Sequence, residues 1–397
     1  MPQNAVVTGT SNEDQTNGPI QNGPLSGLRV LDFSMFMAGP YCSRLLADAG
    51  AEVIKVEPPE GDYMRKSNPL RGNYSGFFGH LNCGKKSITL NLKDPSDRAV
   101  IDALMPSIDV VLENFRPGVT QRLGLTYDDL RALRPDLVYC SVSGYGQTGP
   151  AAQLPAYAPI VHAASGHDLA QMGYDPRQDR PIPNRSTAAD ILAATHAFGG
   201  ICAALVHRQN GGGGDHVDVA LMDIMHQMLG YEVQTAQLEN PPTPVIFEPI
   251  KTLDGFIIVA PISQLNFEAL AKGADHLEWL EDERFSTPLP RSNNWALLTA
   301  EIAAWAAEKE ADDCVEAISK AGCPCTKYQT VAESMATPQV AHRDSMIEVE
   351  DGSGRYLVPN APFQFTNATV EARRWVPEQG QHSAEILAQL NLEAGGD

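Results

Sequence analysis

Length, composition and charge restrict the kind of protein that this chain forms. It has 397 residues, of which 43% are hydrophobic and 20% are charged. This length exceeds what one small hydrophobic core holds, so we expect one large and one small domain. The formal net charge of −20 argues against nucleic acid or an anionic membrane as a partner, and any anionic ligand needs a local basic pocket.

Seven cysteines are scattered along the chain, and four of them lie within apolar or small-residue runs. Such cysteines are typical of reduced, buried thiols, which predicts a cytoplasmic protein. Cys323 and Cys325 form one close pair without a second pair to complete a zinc site, so no metal is expected. No uninterrupted apolar stretch reaches the length of about 18 residues that a membrane helix needs.

The predicted elements begin after a polar segment. Residues 1–24 have few large apolar side chains and predict a flexible tail. Residues 25–230 predict a large domain in which short apolar strands alternate with helices. Its first elements are strand 28–33, helix 41–49, strand 51–59, strand 86–92, helix 93–104, strand 109–115, helix 127–133 and strand 137–142. This alternation predicts an α/β fold with an open, Rossmann-like parallel sheet that binds ligands at the carboxyl ends of its strands.

A long apolar helix follows in the stretch from 184 to 220. It begins after small polar residues, ends at the glycines 211–214 and leads into strand 216–221. Little charge interrupts it, so the helix is expected to be buried on most sides. Asp190 stands in its first turn. A carboxylate there either caps the helix and complements its dipole or takes part in chemistry, and the helix pattern leaves both interpretations open.

The remaining chain predicts a second domain and a return to the first. A Met-rich helix, 221–229, precedes a proline-rich linker at 231–249. Residues 250–320 predict a smaller α+β domain. Residues 321–397 predict a return to the large domain that ends in a helix, 383–392.

Neither glycine pattern in the large domain predicts a phosphate loop. The turn after the first strand reads SMFMAGP, so no G-x-G-x-x-G supports a nicotinamide dinucleotide. The four glycines 211–214 lie between a helix and a strand, where glycine serves as a helix C-cap and a turn.

Five stretches in order resemble the family III CoA-transferases. They read GLRVLDFSMFMAGPYCSRLLADAGAEVIKVEPPEGD, LNCGKKSITLNLK, LENFRPGVTQRLGLTYDDL, SGYGQTGP and PAY. The resemblance covers about residues 25–225 and resumes near 321 with AGCPCTKYQTVAE and NAPFQF. It implies a Rossmann-like large domain, a small domain and an interlocked homodimer. It also implies that the substrates are an acyl-CoA and a free carboxylic acid, with coenzyme A thioester as substrate and no permanently bound cofactor.

The resemblance places the catalytic nucleophile of the family at Asp190. A thioester and a carboxylate exchange CoA poorly by direct encounter, and an enzyme carboxylate splits the exchange into easier acyl-transfer steps. Asp190 would form a mixed anhydride and then an aspartyl-CoA thioester. Backbone N–H groups near the start of the helix would hold the developing oxyanion.

The resemblance also implies a set of positions that contact CoA. Arginine is suited to phosphate because its planar fork bonds two oxygens at once. The implied positions are Met37, Ala38, Leu90, Asn91, Lys93, Asn114, Phe115, Arg116, Arg122 and Tyr157. For Arg116 and Arg122, a solvated charge at a helix end is the simpler alternative.

The sequence departs from the family pattern at two places. Ala158 occupies a position where relatives carry an acid, so a contact that the acid supplies is missing. The glycine-run loop that covers the site in formyl-CoA transferase has no counterpart in 240–262.

Two other functions remain as alternatives. The racemases of the family remove an α-proton with a His/Asp pair, and this chain contains Gly166-His167-Asp168. That tripeptide lies ten residues beyond the racemase position, which Tyr157 fills, and tyrosine is not a base near neutrality. We therefore expect His167 to be a surface loop residue and favour a transferase over a 2-methylacyl-CoA racemase. The second alternative is a CoA-binding paralogue without turnover.

Overall fold

The computed structural model describes residue 20 and residues 22–175, 177–241 and 244–391. The chain divides into two compact units, one formed by residues 1–230 with 341–397 and the other by residues 231–340. Most of the predicted tail, 1–24, lies outside the described residues, as does the end of the last predicted helix. The end of the tail is an exception, because Asn22 bonds to the backbone of Asn367 at 3.0 Å. The last residues of the predicted tail are therefore bonded to the returning segment of the first unit.

A six-stranded sheet forms the centre of the first unit. Its strand order is β5-β2-β1-β6-β7-β8, and every neighbouring pair is parallel. The strands of this part of the chain are β1 (Arg29–Asp32), β2 (Glu52–Glu57), β3 (Leu70–Arg71), β4 (Tyr74–Ser75), β5 (Lys86–Thr89), β6 (Val110–Glu113), β7 (Val138–Ser143) and β8 (Asp215–Ala220). Strands β3 and β4 form a separate antiparallel pair. The parallel central sheet predicted from the sequence is confirmed.

Helices cover both faces of this sheet, and two buried hydrophobic clusters lie between the layers. The helices of this part of the chain are α1 (Ala38–Asp48), α2 (Gly76–Asn82), α3 (Pro95–Leu104), α4 (Val119–Leu123), α5 (Tyr127–Arg131), α6 (Ala158–Ala164), α7 (His167–Gly173), α8 (Ala188–His207) and α9 (Leu221–Met228). Helix α10 (Gly230–Thr235) begins at the last residue of the first unit before the linker and continues in the second unit. Strand β5 is shorter than predicted because the next residues form turns. There Asn91 Oδ1 accepts a bond from Lys93 N–H, and Asp94 caps α3.

Helix α8 packs on α1 and on β7 with a face of small side chains. The alanines Ala189, Ala193, Ala194 and Ala197 are all fully buried. Together with the turn that follows, the helix spans 25 residues and contains an 18-residue window with a mean hydropathy of 1.6, of which 39% is buried, so its length and composition would also suit a membrane span. In this fold it is instead the central helix of a hydrophobic cluster, because its alanines let neighbouring elements approach closely.

The glycines after α8 make a turn, as predicted. Gly211 has φ +87° and Gly213 has φ +81°, a region that side chains with a Cβ rarely adopt. A Cβ on Gly214 would lie 2.2 Å from the carbonyl oxygen of Leu137. These residues therefore join α8 to β8 by a tight path along the sheet.

Four charged side chains lie fully buried below the turn between β1 and α1. This buried charge cluster consists of Asp32, Lys55, Asp62 and Lys85. Lys85 Nζ lies 3.2 Å from Asp32 Oδ2, and Lys55 Nζ lies 2.9 Å from Asp62 Oδ2. Every charge in the cluster thus has an opposite charge as a neighbour, as buried ions require.

The second unit contains a small sheet of order β11-β10-β9 with antiparallel pairing. Its strands are β9 (Ile250–Lys251), β10 (Phe256–Val259) and β11 (Cys325–Lys327). Its helices, the last of which ends beyond the unit, are α11 (Gln264–Gly273), α12 (Pro288–Asn293), α13 (Trp295–Ala306), α14 (Ala311–Ala321), α15 (Val331–Met335) and α16 (Pro338–His342). A buried cluster that includes Phe267, Trp279 and Phe285 forms its core.

The boundaries of this unit correct two predictions. The chain returns to the first unit at Ala341, not at residue 321, because β11 pairs with β10 and keeps the intervening residues in the second unit. The predicted linker 231–249 belongs to the second unit as well. Its Ile246 carbonyl accepts a hydrogen bond from Trp295 Nε1 at 2.7 Å.

The returning segment adds a hairpin and a helix to the first unit. These are β12 (Met346–Asp351), β13 (Gly354–Pro359) and α17 (Ser383–Gln389). Just before α17, the His382 N–H donates to the Ser87 carbonyl at 2.9 Å, and His382 Nδ1 accepts from the Ser87 N–H at 3.1 Å. The helix is thereby held beside β5, the edge strand of the parallel sheet.

Candidate active site

A cavity of about 250 Å³ opens at the carboxyl ends of β1, β6 and β7. Parallel α/β sheets bind their ligands at this edge. The lining residues come from the turns after these strands, the loop before α6 and the starts of α8 and α9. They are Met35, Phe36, Met37, Ala38, Asn114, Phe115, Arg116, Pro117, Val142, Ser143, Gly144, Ala152, Leu154, Pro155, Ala156, Tyr157, Asp190 and Leu221.

Asp190 is the one carboxyl group among these lining residues. No hydrogen bond or ion pair to its carboxylate is present among the described residues. Burial raises the pKa of Asp190 to about 6, because taking a charge out of water without a partner favours the protonated form. An unpaired, partly buried carboxylate that faces a cavity is suited to nucleophilic attack.

The helix-cap interpretation of Asp190 finds no support in the geometry. The residue at the N-cap of α8 is Thr187, whose side chain makes no capping bond, and Asp190 is the third residue of the helix. Two N–H groups of the first turn have other partners. The Ala188 N–H donates to Ser186 Oγ at 3.3 Å, and the Ala189 N–H donates to His162 Nε2 at 3.1 Å. These two groups are therefore not free to hold an oxyanion as the sequence suggested.

The turn between β1 and α1 is fixed from two sides. Asn114 Oδ1 accepts from the Met35 N–H at 2.9 Å, and Asn114 Nδ2 donates to the Met35 carbonyl at 2.7 Å. From below, Lys55 Nζ of the buried charge cluster donates to the Ser34 carbonyl at 2.8 Å. Phe36 has φ +67°, a conformation that costs free energy in a residue other than glycine and that this support maintains. The cavity is thus lined by a preformed backbone.

Seven of the predicted site residues line this one cavity. They are Met37, Ala38, Asn114, Phe115, Arg116, Tyr157 and Asp190. Arg116 is exposed, and no carboxylate pairs with it in the part of the chain that the structure describes. The Tyr157 side chain is 59% exposed and packs edge-on against Phe36 with ring centroids 5.7 Å apart.

Four other predicted residues lie outside the cavity lining. Leu90 is 4% exposed and belongs to a hydrophobic cluster, so its side chain supports the core. Asn91 and Lys93 are exposed in the turn before α3, and Arg122 is exposed on α4. No carboxylate pairs with Arg122 among the described residues. If these residues contact CoA, they do so along the outer surface.

Ala158, the departure from the family pattern, is 1% exposed at the start of α6. It packs in the hydrophobic cluster around α8 and does not line the cavity. An acid at this position would be buried, and the alanine replaces it without leaving a polar group to satisfy.

The prediction that His167 is a surface loop residue is wrong. Its side chain is buried at the start of α7, because Gly166, with φ +87°, turns the chain back onto α6. The rings of His162 and His167 lie 5.2 Å apart, and His167 Nδ1 lies 3.0 Å from Asp168 Oδ1. Ligand atoms of these three residues lie within 4.8 Å of one another, a grouping that could hold a metal ion. Two of the ring nitrogens already have protein partners, so hydrogen bonding accounts for the group.

Sequence reasoning did not identify His162, which contacts the turn that carries Asp190. The one signal available was a histidine five residues after Tyr157 in a predicted apolar segment. Such a residue is more often a core histidine, and its partner is 27 residues away in the chain.

Comparisons with known proteins agree with this geometry. The family model for CoA-transferase family III matches residues 25–383. A succinyl-CoA–D-citramalate CoA-transferase from Chloroflexus aurantiacus is 37% identical over 386 residues, which cover 92% of this chain and 94% of the relative. A succinate–glutarate CoA-transferase from Agrobacterium fabrum is 32% identical over 394 residues, which cover 94% of this chain and 98% of the relative.

The fold agrees as well. The crystal structure of a CAIB/BAIF family protein from Brucella suis superposes with a TM-score of 0.81 at 32% sequence identity, covering 93% of this chain and all of that one. The resemblance noted in the sequence is therefore confirmed over nearly its whole length. This chain belongs to CoA-transferase family III, and it is a CoA-transferase.

Proposed function

We propose that this enzyme moves CoA between an acyl-CoA and a free carboxylic acid through covalent intermediates on Asp190. The observation that carries the proposal is the Asp190 carboxylate, which faces the cavity without a hydrogen-bonding partner among the described residues. Its pKa of about 6 leaves most of the group ionised at neutral pH, and the ionised form is the nucleophile.

The reaction divides into four acyl transfers. An Asp190 oxygen attacks the thioester carbonyl, the C–S bond breaks, and CoA leaves as thiolate from a mixed anhydride. The thiolate then attacks the Asp190 side-chain carbonyl and releases the first carboxylate, leaving an aspartyl-CoA thioester. The incoming carboxylate attacks this thioester and displaces the thiolate. The thiolate finally attacks the new acyl group and frees Asp190, so atoms and charge balance without a further reactant.

The lining of the cavity supports roles for the other residues. The volume of about 250 Å³ lies below the range of about 300–1,000 Å³ for pockets that enclose a drug-sized ligand, so it suits the reacting end of CoA rather than the whole cofactor. We assign Arg116, and Arg122 on the outer surface, to the phosphates of CoA, because both guanidinium groups lack a protein carboxylate among the described residues. Tyr157 and Leu154, both more than half exposed, would contact the acyl group.

The carboxylic acid is proposed from the relatives. Their names include succinate, glutarate and D-citramalate, so short dicarboxylic acids are the first acceptors to test with succinyl-CoA as donor. Turnover that depends on such an acid would also contradict the alternative of a CoA-binding paralogue without activity.

A trapping experiment tests the nucleophile. Incubation with acyl-CoA alone should acylate Asp190, hydroxylamine should convert the adduct to a hydroxamate, and borohydride should reduce the aspartyl thioester. Mass spectrometry should then find the change on the peptide that contains STAADILAATH. The matched control is Asp223→Asn, which alters an exposed acid in the first turn of the neighbouring helix α9. Full transferase activity with no adduct on the Asp190 peptide would contradict the proposal.

Hydrogen exchange separates the transferase from the racemase of the same family. No histidine lines the cavity in the described part of the chain, and Tyr157 stands at the position of the racemase base. In deuterated water a 2-methylacyl-CoA should therefore keep its α-hydrogen. Rapid uptake of deuterium that disappears in Asp190→Asn would favour the racemase.

We also propose the homodimer that the family resemblance implies, with two chains threaded through each other. Such an interface should exceed the standard size of about 1,600 Å² and persist on dilution. Sedimentation velocity at nanomolar protein should show one dimeric species, whereas a concentration-dependent monomer would contradict the threaded assembly.

A further inference from the structure

The side chain of His162 contacts the helix turn that carries Asp190. His162 lies on α6, is 1% exposed, and accepts a hydrogen bond at Nε2 from the Ala189 N–H at 3.1 Å. Ala189 is fully buried and immediately precedes Asp190 in the chain. The bond thus connects α6 to the first turn of α8 at one residue from the nucleophile.

This bond adds a side-chain acceptor at the start of α8, next to the one that Ser186 Oγ provides for the Ala188 N–H. The first N–H groups of a helix have no partner within the helix, and a side chain at the N-cap usually accepts from one of them. The N-cap Thr187 makes no such bond. For the Ala189 N–H the acceptor is His162, which lies 27 residues earlier in the chain.

The bond also determines the state of the imidazole ring. Because Nε2 accepts a hydrogen bond, the neutral ring must carry its proton on Nδ1. Burial, with a smaller contribution from His167, lowers the pKa of His162 and keeps the ring neutral, although Asp168 opposes the shift. A protonated ring would direct its own N–H toward the Ala189 N–H and break the contact.

We propose that His162 is a positioning residue that holds the first turn of α8 so that the Asp190 carboxylate faces the acyl thioester. The inference rests on the proposed role of Asp190 as the nucleophile. It assigns to His162 no contact with the substrate, since His162 does not line the cavity. Its effect should appear in the covalent step, because a displacement of about 1 Å can cost about 100-fold in rate.

Two substitutions distinguish the effect of the hydrogen-bond acceptor of His162 from the effect of its side-chain volume. His162→Gln keeps an acceptor at a position similar to that of Nε2, whereas His162→Leu fills the space without one. His162→Leu should acylate Asp190 about 10- to 100-fold more slowly and lower kcat equally, with KM for acyl-CoA within about 3-fold of wild type. His162→Gln should recover most of that rate. His196→Leu, which changes an exposed histidine on α8 itself, is the matched control and should match wild type.

Two readouts complete the test. In ¹⁵N-histidine spectra of the wild type, the signal that His162→Gln removes should show an unprotonated Nε2 and a protonated Nδ1. The opposite tautomer, a normal acylation rate in His162→Leu, or equal losses in both variants would overturn the role of His162. If wild type itself forms no adduct on Asp190, the proposed function fails and this inference fails with it. If wild type forms the adduct and His162→Leu forms it at the same rate, only the inference about His162 fails.

Discussion

Among the places where the first unit buries charged side chains, two near the cavity treat the charge in opposite ways. In the buried charge cluster, Asp32 and Lys85 lie 3.2 Å apart and Lys55 and Asp62 lie 2.9 Å apart. At the start of α8, Asp190 has no such partner among the described residues. Both regions lie near the same cavity, the first below the turn after β1 and the second in its wall.

The pKa values of Asp32 and Asp190 are shifted in opposite directions. Burial alone would raise the pKa of Asp32, but the charges of Lys85 and Lys55, together with hydrogen bonds from Ser34 and Ser43, hold the pKa below its ordinary value. For Asp190 burial acts alone and raises the pKa to about 6. Burial by itself therefore does not mark a reactive carboxylate. The absence of a partner does, because a paired carboxylate is stabilised as an anion and has less to gain from attack.

The largest expected effect is loss of the unpaired carboxylate. Asp190→Asn and Asp190→Ala remove the nucleophile, so kcat should fall at least about 1,000-fold, which corresponds to about 4 kcal/mol of transition-state stabilisation. CoA binding should persist because Arg116 and Arg122 are unchanged. Steady-state kinetics and CoA titration measure the two quantities. A variant that keeps its kcat would show that the carboxylate is not used.

Substitutions in the buried charge cluster should lower the free energy of unfolding. Lys85→Met leaves Asp32 buried without its nearest cation, and breaking a buried pair costs about 3–5 kcal/mol of unfolding free energy. Chemical denaturation monitored by circular dichroism measures this loss, with Lys93→Met, at an exposed lysine, as the control. An unfolding free energy within error of wild type would contradict the account of the cluster.

The same comparison predicts that removal of the Asp190 charge stabilises the fold. The folded state raises the pKa of Asp190 from 3.8 to about 6, so it binds the proton more tightly than the unfolded chain does. Above about pH 6 the buried charge costs stability, and the cost disappears as the pH falls from 6 to 3.8. Asp190→Asn should therefore be more stable than wild type by about 1–3 kcal/mol at pH 8, a figure reduced because the group is partly exposed. At pH 4 the difference should be small. A helix cap predicts the opposite sign for Asp190→Ala at pH 8.

The smallest expected effect is a change of rate with pH. Because the ionised Asp190 attacks, kcat/KM should fall as the pH drops below about 6, by about tenfold per pH unit. Initial rates between pH 5 and pH 8 test this expectation, with unfolding followed in parallel at each pH. A kcat/KM that stays constant over this range would contradict the expectation that the ionised form of Asp190 is the reactive one.

The sequence predicts well those parts of the fold and the site for which residues close together in the chain carry the pattern. The alternation of strands and helices predicted the parallel sheet, and motif order identified the family. The motifs also brought Asp190, Asn114 and Arg116 to one cavity. Each of these residues follows a strand or starts a helix, so its position follows from the sheet.

What the sequence predicts poorly depends on distant partners. Leu90 matched a CoA-binding motif, but its side chain completes a hydrophobic cluster formed by other strands. His167 was placed at the surface because nothing in its own segment shows that Gly166 turns it onto α6. His162 was missed because Ser186 and Thr187 resemble ordinary caps, whereas the acceptor for the Ala189 N–H comes from another helix.

The double hydrogen bond between Asn114 and Met35 has a consequence for changing substrate range. The amide side chain of Asn114 accepts from the N–H of Met35 and donates to its carbonyl. These two bonds connect the turn after β6 to the turn after β1. A substitution at Asn114 therefore removes both bonds and alters the turn after β1, which lines the cavity together with Asp190. New acceptor specificities should arise by exchange on the rim, at Leu154 and Tyr157, whose side chains are 56% and 59% exposed. A library restricted to these two positions should yield more altered and folded enzymes than one that also varies Asn114.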